Sequence, residues 1–202
     1  MTSGVWICDV DRENYFGSDL TGLHALVAST AIVEEGVTIG TGAKIWHHAQ
    51  IRAGASIGVD AVIGKGCFVD AGVVVGDRSK IQNGAQLYSP AYLEDGVFVG
   101  PLVILTNDKY PRAIAPDGNL VGAAGWTQSG CTLKHGASVG AGSVVICTTI
   151  GAWALVAASS VVTKPVAAHS LVRGNPATHV GWVCYCGVPV NEQCSRCGWG
   201  PA

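Results

Sequence analysis

Ala55-Ser56-Ile57-Gly58-Val59-Asp60, Ala61-Val62-Ile63-Gly64-Lys65-Gly66 and Cys67-Phe68-Val69-Asp70-Ala71-Gly72 are three consecutive hexapeptides of one pattern. Each opens on a small residue and carries a branched aliphatic at its third position. Followed in both directions, the aliphatic recurs every sixth residue at Val27, Val33, Ile39, Ile45, Ile51, Ile57, Ile63, Val69, Val75, Ile81, Leu87, Leu93, Val99 and Leu105. A period of six fits neither a helix nor an alternating strand. It is the signature of a hexapeptide β-helix, in which short parallel strands are joined by tight turns. Three hexapeptides make one three-sided coil, so residues 18 apart stack at the inter-strand spacing of ~4.8 Å. The aliphatic and the small residue two before it face inward, and each coil hydrogen-bonds to the next.

The fold class expected is therefore all-β, a parallel β-helix. With 28 glycines against six tryptophans and three phenylalanines in 202 residues, its core must be built from small and branched side chains. A net charge of −2 and the lack of a basic stripe argue against a nucleic-acid binder. No apolar run is long enough to span a membrane, and Met1 to Val10 lacks the basic and apolar regions of a signal peptide. A cytoplasmic chain is expected, so its eight cysteines read as thiols or metal ligands before disulfides.

Three regions follow from the phase. Residues 1–26 do not repeat and are expected to cap the first coil. Residues 27–165 form the β-helix, interrupted by an excursion over 106–130, where the step from Leu105 to Leu133 is not a multiple of six. Such a loop is either functional or a tolerated surface insertion. The period resumes at Leu133, Val139 and Val145, loses one residue between Cys147 and Thr149, and is expected to end at Pro165. Residues 166–202 form a tail with a four-cysteine unit over 184–197.

Phase also selects the outward side chains. His47, Lys65 and Asn83 are 18 apart and form one external column, beside Trp46, Gly64 and Gln82. Arg52, Asp70 and Tyr88 form another, beside Ala71, Ser89 and Asn107. Both are expected near the loop that leaves at Thr106, which makes them the candidate site. Each also has an ordinary surface reading: His47 as a solvated histidine, Arg52 with Asp70 as an ion pair of at most ~1 kcal/mol.

Several stretches carry a resemblance: Ile45-Trp46-His47, Lys80-Ile81-Gln82-Asn83, Leu93-Glu94-Asp95-Gly96-Val97-Phe98, Gly100-Pro101, Thr106-Asn107 with Pro111-Arg112-Ala113, and Gly174-Asn175-Pro176-Ala177 leading to Gly181-Trp182. Over residues 27–182 the chain resembles the bacterial hexapeptide-repeat nucleotide-sugar N-acetyltransferases, typified by UDP-2-acetamido-3-amino-2,3-dideoxyglucuronate N-acetyltransferase. The resemblance implies a left-handed helix, a homotrimer, and acetyl-CoA in a groove between two subunits. General crossover rules alone would have favoured the opposite hand. It further implies an amino sugar beside Asn83, with His47, Asn107 and Arg112 at other family positions. Lys65, Gln82 and Tyr88 complete the expected acceptor side. The chain departs from the family pattern there, with Lys65-Gly66 in place of Gln-Asn, Asp70 in place of glycine and His48 in place of an aromatic residue.

The chemistry expected is aminolysis of a thioester, with Asn83 orienting the amine and His47 available as a base. Lys134, Lys164 and Arg173 are candidate partners for CoA phosphates, and equally well solvated surface charges. Cys184, Cys186, Cys194 and Cys197 suit a structural zinc site of four thiolates, with free thiols or disulfides as alternatives. Cys67 and Cys131 fall at inward positions and read as packing. Two other functions stay open: O-acylation, or N-acylation of a non-sugar amine in a secondary-metabolite pathway, and a non-catalytic assembly module. A scaffold would need neither the excursion nor the His47 column.

Overall fold

A computed structural model describes residues 24–122 and 125–201, so nearly all of the expected 1–26 cap, with Trp6, Tyr15 and Phe16, lies outside the described residues. From Leu26–Val27 onward, two-residue strands alternate with turns and assemble into three parallel sheets, the faces of a prism. On face I, Ile45 pairs with Ile63 and Ile63 with Ile81. On face II, Ile51 pairs with Val69, and on face III Ile57 pairs with Val75. Every one of these registers is a step of 18 residues, as the hexapeptide period requires.

The interior is the sequence pattern made solid. Ile45, Ile51, Ile63, Ile81, Leu87, Leu93 and Leu105 are 0% exposed, and so are the small residues Ala43, Ala49, Ala55 and Ala61 beside them. Each large side chain so buried is worth ~1.5–3 kcal/mol. Ser79 takes a small inward position because its hydroxyl donates to the Glu94 carbonyl and accepts from the Val97 N–H. Cys67 and Cys131 are inward too, their thiols donating to the Gln82 and Val145 carbonyls. Burial pushes both thiols up, that of Cys131 to about 11, which suits packing rather than reactivity.

Two kinds of glycine shape the turns. Gly66 adopts a φ of 67°, in the left-handed region that recurs every sixth residue and that Asp60, Arg78 and His48 enter at some cost. Gly64 instead makes room for the next coil: a Cβ there would lie 2.7 Å from the Asn83 backbone nitrogen and 2.7 Å from its Oδ1.

The excursion interrupts one corner only. Pairing offsets rise to 40 as Tyr92 meets Thr132, Phe98 meets Ser138 and Ile104 meets Val144, so the coils on either side stay in contact. The chain leaves face II after strand Ile104–Thr106 and re-enters on face III at Thr132–Leu133, which places the loop on the II–III corner. The loop folds back on itself through an Ile114–Leu120 bridge, and its base is closed by the Ser129 N–H donating to the Asn107 carbonyl. The lost residue shows as an offset of 17 between Thr132 and Thr149, with Cys147 at a φ of 43° in the tightened corner.

Pro165 does not end the stack, contrary to expectation. It sits in a corner, where the missing N–H is not needed by the ladder. Val166 still bridges Ile150, and Ser170–Gly174 extends face I in parallel with Leu155–Val156. Ala177–Val183 then turns back antiparallel, and Pro189–Val190 forms the outermost strand of that sheet. Among the described residues, no helix is long and apolar enough to cross a membrane.

Candidate functional site

Residues six apart lie on successive corners, and this sorts the candidate residues. His47, Lys65, Gln82 and Asn83 fall on the I–II corner, between strands such as Lys80–Ile81 and Gln86–Leu87. Tyr88, Asn107 and Arg112 belong to the II–III corner and its loop. The two expected columns therefore do not converge within one chain: face II separates them. A spacing of 18 puts residues on one corner but does not say which corner carries the loop, and only the column of Tyr88 stands beside it.

On the I–II corner the stacking is as the phase demands. The Gly66 N–H donates to the His47 carbonyl, the Gly84 N–H to the Lys65 carbonyl and the Leu102 N–H to the Asn83 carbonyl. Asn83 also has a structural duty that the sequence reading missed. Its Oδ1 accepts the Lys65 backbone N–H at 2.9 Å. Asp77 does the same for Val59 at 2.8 Å, and Asp95 for Asp77 at 2.9 Å, on the III–I corner. The signal was available: in all three cases the donating N–H follows a glycine of the coil before (Gly58, Gly64, Gly76). The bond fixes the carboxamide and uses one of the oxygen's two lone pairs. His47 is exposed, and its Nδ1 lies 2.9 Å from the Thr30 hydroxyl, which also accepts the His48 N–H.

On the II–III corner, Asp70 binds Arg52 at 3.1 Å and accepts the Ala71 and Ser89 N–H groups, so the anticipated ion pair is present and doubles as a coil tie. Arg52 also reaches Glu34 at 3.5 Å. The Tyr88 ring packs on Phe68 with centroids 5.5 Å apart. Arg112 donates to the Pro111 carbonyl and lines a cavity of about 550 Å³ inside the loop, together with Lys109, Tyr110, Val121 and Trp126. Tyr110 and Leu120 of this loop are 79% and 83% exposed.

The three cations proposed for CoA lie apart. Lys134, on the III–I corner, is held by Glu94 at 2.9 Å across the excursion. Lys164 is on the II–III corner beyond Val162, and Arg173 lies near the end of strand Ser170–Gly174 on face I.

The four tail cysteines do come together: the sulfurs of Cys184, Cys186, Cys194 and Cys197 all lie within 4.8 Å of one another. A tetrahedral zinc with Zn–S bonds of ~2.3 Å needs sulfurs ~3.8 Å apart, so the set fits after a contraction of about 1 Å. Both pairs sit in tight turns, with the Gly187 N–H donating to the Cys184 carbonyl and the Gly198 N–H to the Cys194 carbonyl, and with φ of 73° and 74° at the two glycines. The Trp199 backbone N–H draws the Cys197 thiol down to about 6. Backbone N–H groups of Cys197 and Arg196 lower Cys194, while Cys186, whose thiol shares a hydrogen bond with Cys197, is pushed up to about 11. The arrangement draws Cys194 and Cys197 toward the thiolate form that such a metal takes, and a bound metal would favour the same form at Cys186.

No known family model matches the chain. A curated relative, the dTDP-3-amino-3,6-dideoxy-α-D-galactopyranose 3-N-acetyltransferase of Aneurinibacillus thermoaerophilus, is 41% identical over 71 residues, which are 33% of this chain and 37% of the relative. The chain thus matches well under two thirds of that enzyme's length. Among solved structures, a hexapeptide transferase family protein from Anaplasma phagocytophilum superposes with a TM-score of 0.52 at 22% identity, covering 76% of this chain and 80% of that one. A hexapeptide-repeat acetyltransferase of Vibrio cholerae, solved with acetyl coenzyme A, gives 0.52 at 22% identity over 64% of this chain and 70% of that one. The fold they share with this chain is the left-handed parallel β-helix.

Proposed function

We propose that the chain is an acetyl-CoA-dependent N-acyltransferase that acylates an amino group of a nucleotide-linked amino sugar, acting in the cytoplasm as a homotrimer. The observation that carries the proposal is the 71-residue match to a dTDP-amino-sugar N-acetyltransferase. The geometry supports it by holding the Asn83 carboxamide rigid on an outward corner. A cytoplasmic setting fits the seven unpaired cysteines among the described residues.

In this reading the free lone pair of Asn83 Oδ1 accepts an N–H of the sugar amine and aims the nitrogen lone pair at the thioester carbonyl. The new C–N bond forms as the carbonyl becomes an oxyanion. The oxyanion collapses, the C–S bond breaks, and CoA departs as a thiolate that takes up the proton lost by the amine. The Thr30 hydroxyl can accept from both the His48 N–H and His47 Nδ1–H, and that tautomer turns the Nε2 lone pair outward, the form needed to relay the proton. Tyr88, Asn107 and Arg112 would reach the acceptor from the loop corner of a neighbouring copy, opposite Lys65 and Gln82. Lys164 and Arg173 remain the CoA phosphate candidates, since Lys134 is engaged by Glu94. Cys184, Cys186, Cys194 and Cys197 hold a structural zinc apart from this chemistry.

The test is thiol release from acetyl-CoA in the presence of dTDP- and UDP-linked 3-amino and 4-amino sugars. Amine-dependent release with an N-acetylated sugar product is expected. Release with hydroxyl-only sugars would replace N- by O-acylation, and no release across the panel would favour a non-catalytic module.

A further inference from the structure

We propose that the four-cysteine unit is a zinc-dependent clamp that locks the last coil at the III–I corner and closes the open end of the face-I sheet. The inference rests on the zinc reading of Cys184, Cys186, Cys194 and Cys197 and goes beyond it by naming what the metal holds in place.

The contact between unit and prism is aromatic and centres on one side chain. Trp199, two residues after the Cys197 ligand, stacks on His169 with centroids 4.0 Å apart and planes 15° from parallel. Tyr185, between the ligands Cys184 and Cys186, meets His169 edge-on at 4.8 Å. His169 is thus gripped by one residue from each half of the cysteine unit. It is itself tied into the tail, with Nδ1 2.9 Å from the Val183 carbonyl and its own carbonyl accepting the Val183 N–H.

The grip continues down the prism. Tyr185 meets Trp153 edge-on at 5.0 Å, and Trp153 meets His135 at 5.2 Å. Trp153 also covers Gly136, where a Cβ would lie 2.6 Å from the indole. His135, Trp153 and His169 stand on successive coils of one corner, since the Trp153 N–H donates to the His135 carbonyl and the His169 N–H to that of Ala152.

Little besides the four sulfurs can hold the two halves together. The bond from Gln193 Nε2 to the Gly198 carbonyl, at 2.8 Å, lies within the second half, Tyr185 and Val188 are exposed, and such a short segment cannot build a core of its own. A metal joining Cys184 and Cys186 to Cys194 and Cys197 therefore sets the positions of Tyr185 and Trp199. What the clamp protects is the sheet edge. Ala177–Val183 is the longest strand among the described residues, and Pro189–Val190 covers part of it as a two-residue strand that begins with a proline lacking an N–H. Such an edge discourages further strand pairing. Without the clamp, Ala177–Val183 would be left as an accessible template carrying Val180 and Trp182.

The experiment uses the full chain purified without chelator. Metal content is measured, zinc is then released with a mercurial, and backbone amide exchange is compared before and after. We expect about one zinc per chain, and exchange across 169–199 faster by at least about tenfold after release, with Lys44–Val139 unchanged. His169→Ala should keep the zinc and still loosen 183–199. Failure to bind zinc, even when zinc chloride is supplied, would overturn the metal reading and the clamp together. Zinc that binds but whose release leaves exchange in Ser170–Val183 as before would overturn the clamp alone. Neither readout involves acyl transfer, so the proposed activity can fail without affecting this test.

Discussion

Asn83 has a structural duty that the structure shows and, in the proposed mechanism, a second one in the site. Its Oδ1 ties the Lys65 N–H of the coil before, as Asp77 and Asp95 do for their own neighbours. Removing the group by Asn83→Ala leaves that N–H to solvent, a cost of ~1 kcal/mol, and in the proposed mechanism lowers kcat/KM by at least about tenfold. Asn83→Asp separates the two duties. A carboxylate at this position still accepts the Lys65 N–H, so thermal stability should match the parent. It would also hold the acceptor amine as an ammonium ion, so activity should fall as far as in the alanine variant. Parent-like kinetics in Asn83→Ala would remove this residue from the site. The sequence period was enough to place Asn83 outward and on a column with His47 and Lys65. It could not show that the oxygen was already engaged, because a bond between coils depends on the rotamer as well as the phase. The glycine one coil earlier was the clue: Gly64 is small because Asn83 folds over it.

At the scale of strands and turns, the period carried nearly the whole description, since inward residues, registers and the tightened corner at Cys147 all follow from counting. Counting failed in two places. It showed that extra residues lie between Leu105 and Leu133, but what spans the coils on either side is a contact between Glu94 and Lys134, 40 residues apart. It also took Pro165 as a terminus, because proline is a poor ladder residue; a corner position removes that objection. The Glu94 contact has a measurable consequence. Hydrogen bonds from Lys134 and from the His135 N–H hold the Glu94 carboxyl below its usual value of 4.5. A carboxyl depressed on folding adds stability above its unfolded pKa and loses it as the pH falls through the lower folded value. Glu94→Gln should therefore lower stability near neutral pH, and its difference from the parent should vanish as the pH is lowered past 4.5 and further. Because the pair is partly open to solvent, which screens it, the whole effect should stay below about 1 kcal/mol. Urea unfolding of both proteins between neutral pH and pH ~3 reads it. A difference that persists undiminished at the acid end would mean that packing, not charge, accounts for the role of Glu94.

For the whole molecule, the decisive fact is that Asn83 and Arg112 stand on different corners of the same prism. If one chain alone made the site, face II would lie between the orienting carboxamide and the loop. The proposed homotrimer would remove this obstacle, because in a closed ring of three copies the I–II corner of one prism can face the II–III loop of the next. Tyr110 and Leu120, so exposed in the single chain, would find their cover there. This leads to a prediction that no single-chain site can satisfy. Asn83→Ala and Arg112→Ala proteins should each be nearly inactive as homotrimers. Unfolded together in equal amounts and refolded, they should assemble at random. A groove is intact when the chain giving Asn83 is the arginine variant and the chain giving Arg112 is the asparagine variant, which random mixing yields for about a quarter of grooves in a cyclic trimer. Activity in the mixture should recover to about a quarter of that of the parent refolded the same way. If the site lay within one prism, every chain would carry a broken half and mixing would restore nothing. Refolding each variant separately and mixing afterwards supplies the control, since intact trimers that do not exchange subunits should stay inactive.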